Sequence, residues 1–185
     1  VLPWQVFSDA VRTIDAGGPA GPDALSEQLA ATGYEHTAAV TRVGEFSRRG
    51  GIIDVFSPAQ DQPVRIELFG DTVESLRSFD PGTQRSTGDL KRAVVLPVRE
   101  LVAGREQLGH LAGRLGPAAG GTGDRELRDR LRDGSVPPGC EFLAPFLYPL
   151  EPLFRYLPDG ATVILVEPEE VDRDRIQATV KNGVL

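Results

Sequence analysis

GEFSRRGGIIDVFSPAQDQPVRIELFGDTVESLRSFDPGTQRS, residues Gly44 to Ser86, reads as a meander of short strands joined by tight turns. Its central run, Val64-Arg65-Ile66-Glu67-Leu68-Phe69, alternates without a break. A strand places successive side chains on opposite faces. Val64, Ile66 and Leu68 therefore line one face, and Arg65, Glu67 and Phe69 line the other. The first set is the core face of a half-buried strand. The second puts a phenylalanine beside an arginine and a glutamate, and two readings fit it. It is a protein-binding surface, since aromatics and Arg are enriched at interface hot spots, or a helix of the same domain covers it. Nothing in the stretch has a catalytic pattern.

Outward from that strand, Ala38–Arg42, Phe46–Arg49 and Ile52–Phe56 read as strands, and a Ser57-Pro58 turn leads into the alternating run. Gly70-Asp71 is a two-residue hairpin connection that supplies the positive φ such turns require. The returning strand, Thr72 to Phe79, alternates less cleanly. A strict register would set Arg77 opposite Val64 on the core face, so a bulge near Ser75 is expected. Pro81-Gly82 turns the chain again, and Ala93–Val98 closes the sheet. Upstream, Val1 to Ile14 is mildly apolar and runs into a Gly/Pro/Ala linker over 16–22. Asp23 is an expected N-cap for a helix that carries Leu25 and Leu29 and stops at Gly33.

After Arg99 the pattern changes. Leu101, Leu108, Leu111 and Leu115 fit one side of a helix, although Gly104, Gly109 and Gly113 weaken it by roughly 1 kcal/mol each. A small-residue linker over 116–123 precedes a second helix, Asp124 to Asp133, with Asp124 as its N-cap and Leu127 and Leu131 at helical spacing. A short helix around Leu150–Leu157 is expected to bury Leu153, Phe154 and Leu157. Thr162–Val166 is a continuous apolar run of the kind found in parallel strands covered on both faces. Pro168 then suits the first turn of a closing helix toward Lys181. The fold class is α+β. A leading segment and linker (1–20) precede an antiparallel-sheet domain (21–98), and an α/β segment (99–185) follows with too few strands to complete a parallel sheet.

The 185 residues can bury a real core, and a quarter of them are charged, as in soluble globular proteins. No apolar run approaches the roughly 20 residues of a membrane helix, and no signal peptide opens the sequence. The absence of an initiator methionine suggests a piece of a longer protein. The single cysteine, Cys140, cannot form an internal disulfide, which fits a reducing cytoplasm. The net charge of −7 argues against a dedicated nucleic-acid binder. The cations are arginines except for Lys91 and Lys181, and Arg42, Arg48, Arg49, Arg65, Arg77, Arg85 and Arg92 gather in the sheet region. Glu45, Asp54, Glu67 and Glu74 interleave with them, which reads as a mixed-charge protein surface rather than a DNA track. His36 and His110 lie far apart with no Cys or carboxylate pattern around them, so no metal site is expected. No GxxxxGK[ST] phosphate loop occurs, so no nucleotide or other cofactor is expected.

The segment RGGIIDVF…PVRIELFGDTVESLRSFDPGTQRS closely resembles the UvrB-interaction-type domain of bacterial excision-repair proteins. The shared elements are an Arg-Gly before a β-run ending in Asp-x-Phe, and an Arg-(apolar)-Glu-x-Phe-Gly-Asp hairpin. The GEFSRRGG lead-in and the exit Asp80 to Ser86 favour the transcription-repair coupling factors over UvrB. So does the stretch Val136 to Val166, with Pro-Gly-Cys-Glu before Pro-Leu-Phe-Arg-Tyr-Leu-Pro. The resemblance implies a first domain that docks on UvrA and a second half like part of a degenerate RecA-like domain. Matched by motif, the family's UvrA contacts fall on Arg49, Arg65 and Phe69, with Arg48 and Glu67 as neighbours able to share the role. Two of the three are the outward residues that alternation singles out. Where UvrB carries an Asp-Glu pair that handles magnesium and water, this chain reads Glu167-Pro168-Glu169-Glu170, and proline supplies no carboxylate. The resemblance thus implies a non-catalytic, cytoplasmic module of nucleotide excision repair that recruits UvrA. RNA polymerase and DNA would be met only through other domains of a parent chain. The alternative is a piece of a UvrB-like ATPase that contacts damaged DNA.

Overall fold

The computed structural model describes residues 1–115, 122–137 and 139–164. Its centre is a six-stranded sheet built from β2 (Glu35–His36), β3 (Glu45–Arg49), β4 (Ile52–Val55), β5 (Val64–Phe69), β6 (Thr72–Phe79) and β7 (Ser86–Leu90), in that spatial order. Every neighbouring pair is antiparallel except β2–β3. A second sheet pairs β1 (Arg12–Asp15) with β8 (Arg92–Val95), antiparallel. It is tied to β6 by reciprocal hydrogen bonds of Gly17 N–H to the Val73 carbonyl and Val73 N–H to the Gly18 carbonyl. Helix α1 (Trp4–Ala10) precedes β1, and α2 (Pro22–Ala31) lies between β1 and β2.

The alternation sorts the sheet as its sequence implies. Ile53, Val55, Val64, Ile66, Val73 and Leu76 face one side and bury against Leu25 and Leu29 of α2. The expected bulge is present: Glu67 pairs with Ser75 but Leu68 pairs with Val73, so Glu74 is the extra residue. That one-residue insertion brings both Val73 and Leu76 into the core and sets Arg77 opposite Arg65, away from it. The two-residue turns at 50–51 and 70–71 carry positive φ at Gly50 and Gly70. Gly51 is required for a different reason. Its carbonyl accepts the Leu68 N–H at 2.7 Å, and a Cβ there would stand 2.6 Å from the Leu68 carbonyl oxygen.

Four expectations are corrected. Ala38–Arg42 is not a strand, because the Glu45 carboxylate takes the Thr41 and Arg42 N–H groups a ladder would need. The parallel edge is the shorter β2 instead. The helix over 22–31 is capped at Gly21 with Pro22 in its first turn, so Asp23 lies inside it, while Gly33 ends it with a φ of 95°. The sheet closes on β7, whose polar Ser-Thr-Gly-Asp run carries no apolar alternation, and β8 leaves to pair with β1. Residues Leu153–Tyr156 form only a 3-10 turn, started from an extended Pro152, and Leu153 is exposed.

Beyond Arg99, α3 (Arg105–Arg114) and α4 (Thr122–Arg132) pack with a 3-10 turn (Glu141–Leu143) and α5 (Ala144–Leu147) around a second core. That core holds Leu101, Leu108, Leu111, Leu131, Cys140 and Leu143. Helix α4 starts two residues before the expected Asp124. The two cores are joined at Arg99, which covers Gly33 and donates to the Val136 carbonyl. Of the expected strand Thr162–Val166, residues 162–164 form no ladder and Ile164 is exposed. The remainder of that run, the Glu167-Pro168-Glu169-Glu170 segment and the expected closing helix lie outside the described residues.

Candidate docking face

The sheet has one face against α2 and one turned away from it. On the second face a polar row crosses the strands in register: Ser47, Asp54, Arg65, Arg77, Asp89. A parallel row runs Arg49, Ile52, Glu67, Ser75, and Phe69 stands at the hairpin tip beyond it. Among the described residues no helix lies over these rows. The turn over 80–85 folds toward Arg65, where the Gln84 carbonyl meets Arg65 Nη1 at 3.5 Å.

Phe69 is 81% exposed, a large apolar side chain with its surface in water. Arg49 is just over half exposed, and Arg65 is mostly buried. Both guanidinium groups grip Asp54, whose side chain is fully enclosed. Arg65 donates from Nε and Nη2 to the two Asp54 oxygens at 2.7 and 2.9 Å, and Arg49 Nη2 adds a bond of 2.9 Å. The bidentate fork of Arg65 is the strong geometry for such a pair. Its hydrogen bonds to Asp54 raise the Arg65 pKa against the opposing pull of burial, with the Asp54 and Glu67 charges adding to the rise. Beneath Arg65 lies the Phe79 ring, 4.8 Å from the guanidinium carbon. Glu67 accepts from Ser75 Oγ at 2.6 Å and from Arg77 at 3.3 Å, and Arg77 also reaches Asp89. Every cation on this face is an arginine.

Arg49, Arg65, Glu67 and Phe69 are therefore brought to one face, whereas Arg48 is not. It follows Phe46 by two residues and points with it to the α2 side, where its guanidinium meets Asp23 at 2.6 Å. Two residues that the sequence reading did not single out complete the site: Asp54, and Gln84, which adopts a positive φ of 61° while its amide donates to the Val40 and Pro81 carbonyls. The sequence signal for Asp54 was a lone carboxylate inside the apolar run Ile-Ile-Asp-Val. Pairing it with Arg65 needs the β4–β5 register, which the eight-residue connection between those strands leaves open.

Among the described residues no three His, Cys, Asp or Glu side chains gather to hold a metal ion. Burial, helped by the neighbouring Glu141 charge, pushes the Cys140 thiol up and away from nucleophilic use. His36 packs edge-on against Phe46.

Residues 13–101, which contain the whole face, match the UvrB interaction domain family. Over most of its length the chain is similar to transcription-repair-coupling factors. The one from Myxococcus xanthus is 36% identical over 94% of this chain, and that from Escherichia coli 30% identical over 96%. The Bacillus subtilis protein is 40% identical over 57% of the chain. The chain spans 15%, 16% and 9% of those relatives' lengths, respectively.

Proposed function

Residues 13–101 of this chain belong to the UvrB interaction domain family, and from that premise we propose that the face bearing Arg49, Arg65 and Phe69 docks UvrA during nucleotide excision repair. The observation that carries the reading is Phe69, exposed at the sheet tip on the same face as two arginines that both bond a buried carboxylate. A solvent-facing aromatic costs solubility without helping the fold, and it suits an anchor for a partner's apolar pocket. The chain acts here as a recruiting module without nucleotide turnover, in keeping with its lack of a phosphate loop. Motor activity, RNA polymerase and DNA contacts belong to other domains of a transcription-repair-coupling factor, and the site of action is the cytoplasm.

Direct DNA binding by the arginine cluster is the weaker reading. Arg42, Arg48, Arg49, Arg65, Arg77 and Arg92 each pair with a carboxylate of this chain. Phosphate binding needs clustered cations available to release counterions.

Calorimetric titration of the chain with UvrA tests the proposal. Phe69→Ala is expected to weaken binding by about 2 kcal/mol, as loss of a central aromatic anchor does, with the melting temperature unchanged. Unfolding by Phe69→Ala together with a silent Arg65→Ala would move the interface elsewhere.

A further inference from the structure

We infer that Asp54 is a positioning residue of the docking face: it fixes Arg49 and Arg65 in their outward geometry before a partner arrives. The inference rests on the docking reading above and goes further by naming what makes the face ready.

The carboxylate sits in mid-strand between Ile53 and Val55, which are themselves buried, and its side chain has no solvent contact. A buried ion pair is weak grounds for fold stability, since apolar replacements of similar volume often serve as well or better. What the arrangement does provide is order. A free arginine carries much rotamer freedom, and immobilising it on binding weakens association. Here Arg65 is held on three sides, by the Asp54 fork, by the Phe79 ring and by the Gln84 carbonyl. Gln84 maintains its position through a left-handed backbone and two amide bonds. Arg49 bonds Asp54 through one nitrogen and its side chain is just over half exposed, which leaves it accessible to a partner.

Two guanidinium groups share the Asp54 carboxylate, while Glu67 and Asp89 pair with Arg77, so Asp54 is the anion that both Arg49 and Arg65 bond. Replacing Asp54 by Asn removes the shared anion while preserving the volume. Both arginines then repel each other and lose their common anchor.

The test uses the whole chain and two readouts. In the native chain alone, NMR should show the Arg65 Nε–H exchanging at least about tenfold more slowly than the Arg49 Nε–H, because only the former is bonded to Asp54. Equal rates overturn the inference, and this comparison requires no variant. In titrations with UvrA, Asp54→Asn should weaken affinity by about tenfold or more, as removal of one member of a buried charge pair does. In an Arg49→Ala/Arg65→Ala background the same change should cost no more than about threefold, because the residues it acts through are gone. The same factor in both backgrounds marks Asp54 as purely structural and overturns the inference. A native chain that does not bind UvrA while its Arg65 Nε–H is protected refutes the docking reading, and with it the use of the clasp for docking. That pattern is distinct from failure of the clasp itself.

Discussion

Glu45 shows how one side chain decides local structure. Its carboxylate accepts the Thr41 N–H at 2.8 Å, the Arg42 N–H at 3.0 Å, the Thr41 hydroxyl and the Arg42 guanidinium. The Thr41 backbone bond is the largest cause that lowers its pKa to about 2, with the Arg42 backbone and side chain and the Thr41 hydroxyl adding to it against desolvation. A folded-state pKa below the usual 4.5 means the stabilisation is complete above that value and fades as pH falls from about 4.5 through about 2. Glu45→Gln is expected to destabilise the chain at neutral pH by about 2 kcal/mol, the scale of hydrogen bonds to a charged group. Denaturant melts across pH should show that gap closing below about pH 4; a gap independent of pH would mean the carboxylate charge is irrelevant. At this scale much of the site was legible. Counting by two along Val64–Phe69 gives the outward Arg65, Glu67 and Phe69. The same count from the buried Phe46 turns Arg48 inward and Arg49 outward, a distinction that adjacency in sequence obscures. Asp54 was not legible as their anchor, because its neighbours across the sheet depend on register.

At the scale of elements, the sequence revealed strands that alternate and missed those that do not. β7 is a solvent-facing edge of Ser, Thr, Gly and Asp, so it bears no apolar signature. The absent strand over 38–42 failed for the opposite reason, since its residues had strand-like character but its backbone donors were already taken. The bulge at Glu74 was legible because an arginine would otherwise have entered the core. The β3–β4 turn offers a direct test of how the tip is held. Gly51→Ala forces a Cβ to within 2.6 Å of a backbone oxygen, and overpacking of this kind costs on the order of 2 kcal/mol. Gly50→Ala meets no atom within 4 Å and strains only a φ of 63°, at roughly 1 kcal/mol. Chemical denaturation should rank the two variants in that order. The reverse ranking would mean the turn relaxes away from Leu68 and that the hairpin tip is not fixed by this contact.

For the molecule as a whole, two cores of different quality share one chain. The sheet core contains Ile53, Ile66, Leu76 and Val64 with essentially no exposure, closed by α2. The second is smaller; its own turn and helix leave Phe142 and Phe146 exposed, and the segment beyond it leaves Leu150, Leu153 and Ile164 exposed. The start of the chain is stitched to that segment: Glu151 and Val1 exchange backbone hydrogen bonds, and Tyr156 donates to the Leu2 carbonyl and packs on Trp4. Local opening follows the density of buried contacts. Hydrogen exchange should therefore protect β4–β6 strongly and α3–α4 by at least about tenfold less. Uniform protection would make the two cores one cooperative unit. The sequence announced the change of pattern after Arg99, but not the pairing of the first residues with 151–156, because no local periodicity encodes a contact across that separation.

The all-arginine character of the proposed docking face also determines which chemistry can reach it. Acyl transfer to an ε-amino group needs a lysine, and the described residues offer only Lys91, which sits exposed at the link between β7 and β8. Acetylation therefore has no acceptor among Arg49, Arg65 and Arg77, and amine-reactive cross-linkers cannot mask the sheet's outer rows.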